Sequence, residues 1–175
     1  TGECLGTLDG HQDAVLAVAL DPEGQRCVTG SRDGTVRTWN LDSLLCLAKL
    51  EHHGAEVRTV AISPDGNLAA SGGGDHKVWL FNPKTGSDSQ CLVGHSGVVT
   101  CLAFLKEGLL ASGSSDSTVR IWDTRNGNLL KTLEGHAGEV TSLVADSSGV
   151  VLISAYSDGT IRAWNGPAWI AGSSW

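Results

Sequence analysis

The chain has 175 residues, 41% of them hydrophobic and 18% charged, which is enough apolar matter for one packed domain and too much for a disordered chain. Twelve basic against 19 acidic side chains leave a net charge of −7, which argues against nucleic acid or an anionic membrane as partner. No apolar run approaches the ~18 residues of a membrane span, and 23 glycines with no three-residue period mean many tight turns rather than collagen.

From the N-terminus, residues 4–8, 14–20, 25–30 and 35–39 are short β-branched or leucine-rich runs bounded by turn residues, which predicts strands and not helices. Asp21-Pro22-Glu23-Gly24 and Ser63-Pro64-Asp65-Gly66 are four-residue reversals, and Asp33-Gly34 and Asp158-Gly159 are expected to form type I′ turns. The same strand set returns near the end as residues 128–133, 140–145, 150–155 and 160–164. Residues 166–175, with Pro167, Trp169, Ile170 and Trp175 but no charge, fall outside this pattern. They either supply an outer strand or form an out-of-register tail, and the tail is the preferred reading because alternation is missing. Cys4, Cys27, Cys46, Cys91 and Cys101 all lie in apolar runs and never as CxxC, so reduced core thiols in a cytoplasmic or nuclear protein are expected, with no metal site. The chain lacks methionine, so Thr1 is not expected to be a native start.

The organisation lies in a repeat. Histidines recur at His11, His53, His95 and His136, followed after 21 or 22 residues by Asp33, Asp75, Asp116 and Asp158. Four residues before each aspartate stands a hydroxyl (Thr29, Ser71, Ser112, Ser154), and six after it an aromatic ring (Trp39, Phe81, Trp122, Trp164). Each period therefore predicts about four antiparallel strands joined by hairpins.

Gly10-His11, Gly94-His95, Gly135-His136 and Trp122-Asp123 resemble the Gly-His and Trp-Asp signatures of the WD-repeat β-propeller family, in register over residues 1–165. The resemblance implies an all-β propeller of four-stranded blades, offset from the repeats so that residues 2–8 form the outer strand of a neighbouring or the last blade. The departures are His52 for glycine, Phe81 for tryptophan, and Asn40, Asn82 and Asn165 for the final aspartate. Repeat two, with Gly72-Gly73-Gly74 as well, is the least regular. Four repeats leave three architectures open: an arc cut from a longer propeller, half of a dimeric eight-bladed ring, or a small closed ring.

Repeated Ser, His and Asp invite comparison with a hydrolase triad, but the chemistry argues against it. An indole N–H can only donate, so a line from tryptophan to hydroxyl, to histidine, to aspartate satisfies every group and leaves no free nucleophile. The sixteen residues are thus expected to be structural, with no catalytic residue and no cofactor. Arg37, Arg120 and Arg162 recur at one strand position and are also expected to be structural.

The resemblance places partner contacts three and five residues past each histidine and one before each aspartate. Those positions are Ala14, Leu16 and Arg32; Glu56, Arg58 and Gly74; Val98, Thr100 and Ser115; and Glu139, Thr141 and Ser157. They vary between repeats, as binding positions do. Arg32 and Arg58 could together grip a carboxylate or phosphate, and Asp13, Glu56 and Glu139 would suit a basic partner. The leading expectation is a non-enzymatic scaffold for proteins or peptides. The alternative is a regulatory or substrate-receptor propeller of a larger nucleotide-binding or ubiquitin-ligase machine.

Overall fold

The computed structural model describes residues 2–135, 137–146 and 148–166. The described residues form fifteen strands in four antiparallel meanders, here called blades. Blade one is β1 (Val15–Leu20), β2 (Arg26–Ser31), β3 (Val36–Asn40) and β4 (Leu45–Leu50); blade two is β5 (Val57–Ile62), β6 (Ala69–Gly73), β7 (Lys77–Phe81) and β8 (Asp88–Val93). Blade three is β9 (Val99–Phe104), β10 (Leu109–Ser114), β11 (Val119–Asp123) and β12 (Leu129–Leu133); blade four is β13 (Val140–Ala145), β14 (Val151–Tyr156) and β15 (Ile161–Asn165).

The core lies between blades. Val28, Val36, Leu50, Val57, Val60, Ala69 and Phe81 fill the space between blades one and two. Ala70, Val78, Leu80, Leu92, Val99, Leu110 and Trp122 fill the next, and Ala111, Val119, Ile121, Leu133, Val140 and Leu152 the third. Each fully buried aliphatic side chain contributes about 1.5–3 kcal/mol, so blade-to-blade packing is the main stabilising term. A strand covered on both faces needs no polar side, and β6 and β10 are buried throughout, whereas β14 alternates exposed and buried positions along most of its length. Among the described residues no comparable packing joins blade four to blade one. The described residues form an open arc rather than a closed four-bladed ring.

Three expectations are corrected by the strand arrangement. Residues 2–8 form no strand, and blade four has three strands among the described residues, so the N-terminal segment does not clasp the last blade of its own chain. The reason is geometric: the arc does not turn far enough to bring the segment back. The Asp33-Gly34 turn is a type I turn followed by a left-handed residue, because only Gly34 has positive φ (79°) and its N–H donates to Ser31 O at 3.2 Å. Only Cys27 and Cys101 are buried thiols; Cys91 is half-buried, while Cys4 and Cys46 are exposed, on the unstructured segment and on the outermost strand β4. The readings made for residues 167–175 fall outside the described residues.

Candidate functional site

The polar line is complete in blade three. Trp122 Nε1 donates to Ser112 Oγ (2.8 Å), which faces His95 Nε2 (2.7 Å), and His95 Nδ1 meets Asp116 Oδ2 (2.8 Å). The carboxylate holds the Nδ1–H tautomer, so Nε2 accepts from the serine. Asp116 also accepts from Ser96 N and from the backbone and hydroxyl of Thr118. Burial pushes its pKa up, but the bonds from Thr118 and His95 outweigh that and hold it at about 2. Burial holds His95 below its ordinary value, only partly opposed by Asp116. Blade one repeats the line through Trp39, Thr29, His11 and Asp33, at 2.9, 2.7 and 3.0 Å. In blade four Trp164 Nε1 donates to Ser154 Oγ (2.8 Å), which meets Tyr156 Oη at 3.0 Å. His136 lies outside the described residues, and Asp158 sits within the hairpin turn, accepting from the backbone and hydroxyl of Thr160.

Blade two is built differently. His53 joins Asp75 (2.9 Å) and Ser71 (2.8 Å) as expected, but Phe81 offers Ser71 no donor. The His52 imidazole takes that place, with Nε2 3.3 Å from Ser71 Oγ and Nδ1 2.9 Å from Asp88. It stacks on Trp79 at 4.8 Å between centroids and 19° between planes. The other blades explain why this needs three substitutions together. A Cβ on Gly10, Gly94 or Gly135 would collide with the guanidinium of Arg37, Arg120 or Arg162. Arg37 and Arg162 lie over Trp39 and Trp164 and donate to the Gly10 and Gly135 carbonyls. In blade two Trp79 stands where the arginine would, opposite Ser71 in the ladder, so a side chain at His52 has room. Trp79 Nε1 and Asp75 Oδ2 are buried without partners in blade two, while the arginine arrangement leaves Arg37 Nε and Arg120 Nε unpaired in blades one and three.

The varied positions are brought together at the end of the blades that carries these turns. In each blade a backbone bond ties the residue before the aspartate to the one three past the histidine: Arg32 to Ala14, Gly74 to Glu56, Ser115 to Val98 and Ser157 to Glu139, all at 2.9 Å. The residue five past the histidine is displaced by a bulge. The inner ladders skip Leu16, Arg58, Thr100 and Thr141, and a bulge re-aims the side chain it carries. These four residues and Glu139 line one open groove of about 300 Å³ on the concave side of the arc. Ala14, Arg32, Glu56, Gly74, Val98, Ser115 and Ser157 do not line it. The proposed arginine pair is not free: Glu56 sits between its members, 3.8 Å from Arg32 and 2.7 Å from Arg58 Nε.

The bulges, the His52–Trp79 stack and a second cavity escaped the sequence reading. That cavity, also about 300 Å³, lies between blades two and three at the other end of the strands, lined by Ser63, Pro64, Leu68, Phe104, Lys106 and Thr124 among others. His52 and Trp79 each broke the repeat, and that was the available signal; nothing in the sequence marked the bulges. Among the described residues no helix is long and apolar enough to cross a membrane, and no cluster of His, Cys, Asp or Glu is placed to hold a metal.

The profile of the family described as WD domain, G-beta repeat matches residues 2–40, 44–82, 86–123 and 127–165. Eukaryotic translation initiation factor 3 subunit I of Aspergillus niger is 52% identical over 40 residues, 23% of this chain and 12% of that protein. Human striatin-3 is 44% identical over 43 residues, 25% of this chain and 5% of that protein, so the matches span only a small part of these relatives. The crystal structure of the computationally designed Ika4 protein superposes with a TM-score of 0.84 at 32% identity, covering 94% of this chain and 99% of that one. Four matched repeats, four meanders and the recurring polar line lead to one conclusion: the chain belongs to the WD-repeat family.

Proposed function

We propose that this chain is a non-catalytic interaction scaffold that takes a peptide or protein segment across its concave groove. WD repeats are generally non-catalytic interaction modules. The observation that carries the reading is the convergence of the four bulge residues, one per blade, on a single groove. The groove offers an apolar contact at Leu16, a cation at Arg58, an anion at Glu139 and hydroxyls at Thr100 and Thr141, a mixture suited to a side-chain sequence rather than to one small metabolite. Half of Arg58 is exposed, and pairing with Glu56 leaves the local charge nearly neutral. The groove therefore selects a segment with complementary charges at two points rather than a uniformly acidic one.

The serines do no chemistry in this reading. Ser71, Ser112 and Ser154 have no exposed surface and each is engaged on both sides, whereas a nucleophile needs an open approach. Selection of binders from a displayed peptide library tests the reading. Peptides chosen by the unaltered protein lose at least tenfold in affinity for Arg58→Glu or Leu16→Asp, and Glu139→Lys changes the selected charge pattern. Peptides that bind all three variants equally well would remove the groove as the site.

A further inference from the structure

The two ends of the arc are exposed where its three internal junctions are packed. At each internal junction a valine of the inner strand seats on a glycine of the preceding blade: Val57 on Gly30, Val99 on Gly72 and Val140 on Gly113. All three valines are fully buried. Their counterpart at the start of the arc, Val15, is 52% exposed, and Val18 beside it 66%. At the other end, Ile153 and Ile161 are 39% and 72% exposed, although the matching Val28, Val36, Ala70, Val78, Ala111 and Val119 are all at 0%. Among the described residues blade four has no outer strand and the β15 edge is unpaired. Meanwhile residues 2–8, which hold the place of β4, β8 and β12 in the repeat, are mostly exposed and form no strand.

We propose that a second copy of this chain closes the arc into a ring of eight blades. Such a closure continues the three internal junctions, because each end presents what the opposite end lacks. Val15 and Val18 seat against Ile153, Ala155 and Ile161 of the partner subunit, and residues 2–8 add as a fourth strand to its β15. Internal pairing sets the register: Leu50 lies opposite Val36, so Leu8 comes opposite Ile161 of the partner subunit. One further bond is available. Thr100 Oγ1 donates to Val140 O across the third junction, and Thr141, at the same place in blade four, can donate to Val15 O of the partner subunit. A two-fold axis makes both junctions equal and uses up both apolar ends, which favours a closed pair over a filament. Adding the strand also covers an edge that would otherwise invite aggregation. One difference is built in: Ala155 replaces the glycine of the internal junctions, so this junction stands wider by about a methyl group.

Light scattering after size exclusion, over a wide concentration range, tests the proposal on the unaltered chain. The expected mass is twice the 18.2 kDa of one chain. Ile161→Asp and Val18→Asp each return it to one chain; both sites are exposed in the arc, so circular dichroism stays unchanged. Ala155→Gly moves dissociation to lower concentration. With Cys4 and Cys46 replaced by serine, Leu8→Cys combined with Ile161→Cys forms a reducible covalent dimer. A single-chain mass at every concentration, a ladder of larger masses, or a dimer that ignores both aspartates would overturn the proposal. These readouts need no groove ligand, so failure here is separable from failure of the binding reading.

Discussion

Blades two and three lie side by side and bury similar apolar strands, yet they hold their second strands in different ways. In blade three one serine joins an indole, an imidazole and a carboxylate, with every group bonded. In blade two the serine faces two imidazoles whose centroids are 4.9 Å apart. When His52 is neutral, a single ring hydrogen cannot serve both Asp88 and Ser71, and its 3.3 Å contact to Ser71 is the longest in any of the lines. The lesson is that the repeat tolerates replacement of its tryptophan by a set of exchanged residues, at the cost of complete hydrogen bonding.

Removing the serine separates the two blades most strongly. Ser112→Ala leaves both an indole N–H and an imidazole unpaired and costs about 2–4 kcal/mol, while Ser71→Ala orphans no indole and costs about 1–2 kcal/mol. Urea unfolding measures both, and equal losses would mean that the lines are not stabilising in the way described. Next comes coupling within blade two. His52→Gly and Trp79→Arg each destabilise alone, but together they restore the glycine–arginine arrangement of the other blades. Their combined cost falls short of the sum by about 1 kcal/mol, and strict additivity would dismantle the exchanged-set account.

Acid sharpens the contrast further. His95 titrates below its ordinary value because of burial, so the unfolded chain takes the proton first and stability declines as pH drops below about 6.5. His52 is lowered too, by burial and then by neighbouring His53, which adds a second loss in the same direction from blade two. Asp116, held at about 2, contributes stability that is present above about pH 4 and disappears between there and about pH 2. Unfolding free energies that stay flat from neutral pH to pH 4 would contradict this. The smallest effect concerns hairpins. Ser117 (φ 68°) occupies the left-handed position that Gly34 fills in blade one, so Ser117→Gly stabilises by about 0.5–1 kcal/mol.

Much of this was legible in the chain because a repeat reports on itself. His11, His53 and His95 with their aspartates and hydroxyls fall on one spacing, and a spacing kept through several periods fixes strand number and order. What depended on neighbours was not legible. The exposure of Cys46 depends on which face of β4 meets solvent, and the His52–Trp79 stack depends on two residues that approach only after folding. Positive φ at Ser117 follows from the hairpin that continues past Asp116, not from an Asp-Gly pair. The groove positions were legible as variable residues, but their convergence rests on bulges that leave no mark in composition or period.

Native-state amide hydrogen exchange, resolved strand by strand, tests the account most directly. It should find β6 and β7 exchanging faster than β10 and β11, since the polar line through Ser71 lacks the complete bonding of the line through Ser112. Equal protection in the two blades, or slower exchange in blade two, would contradict the claim that these polar lines hold the blades together.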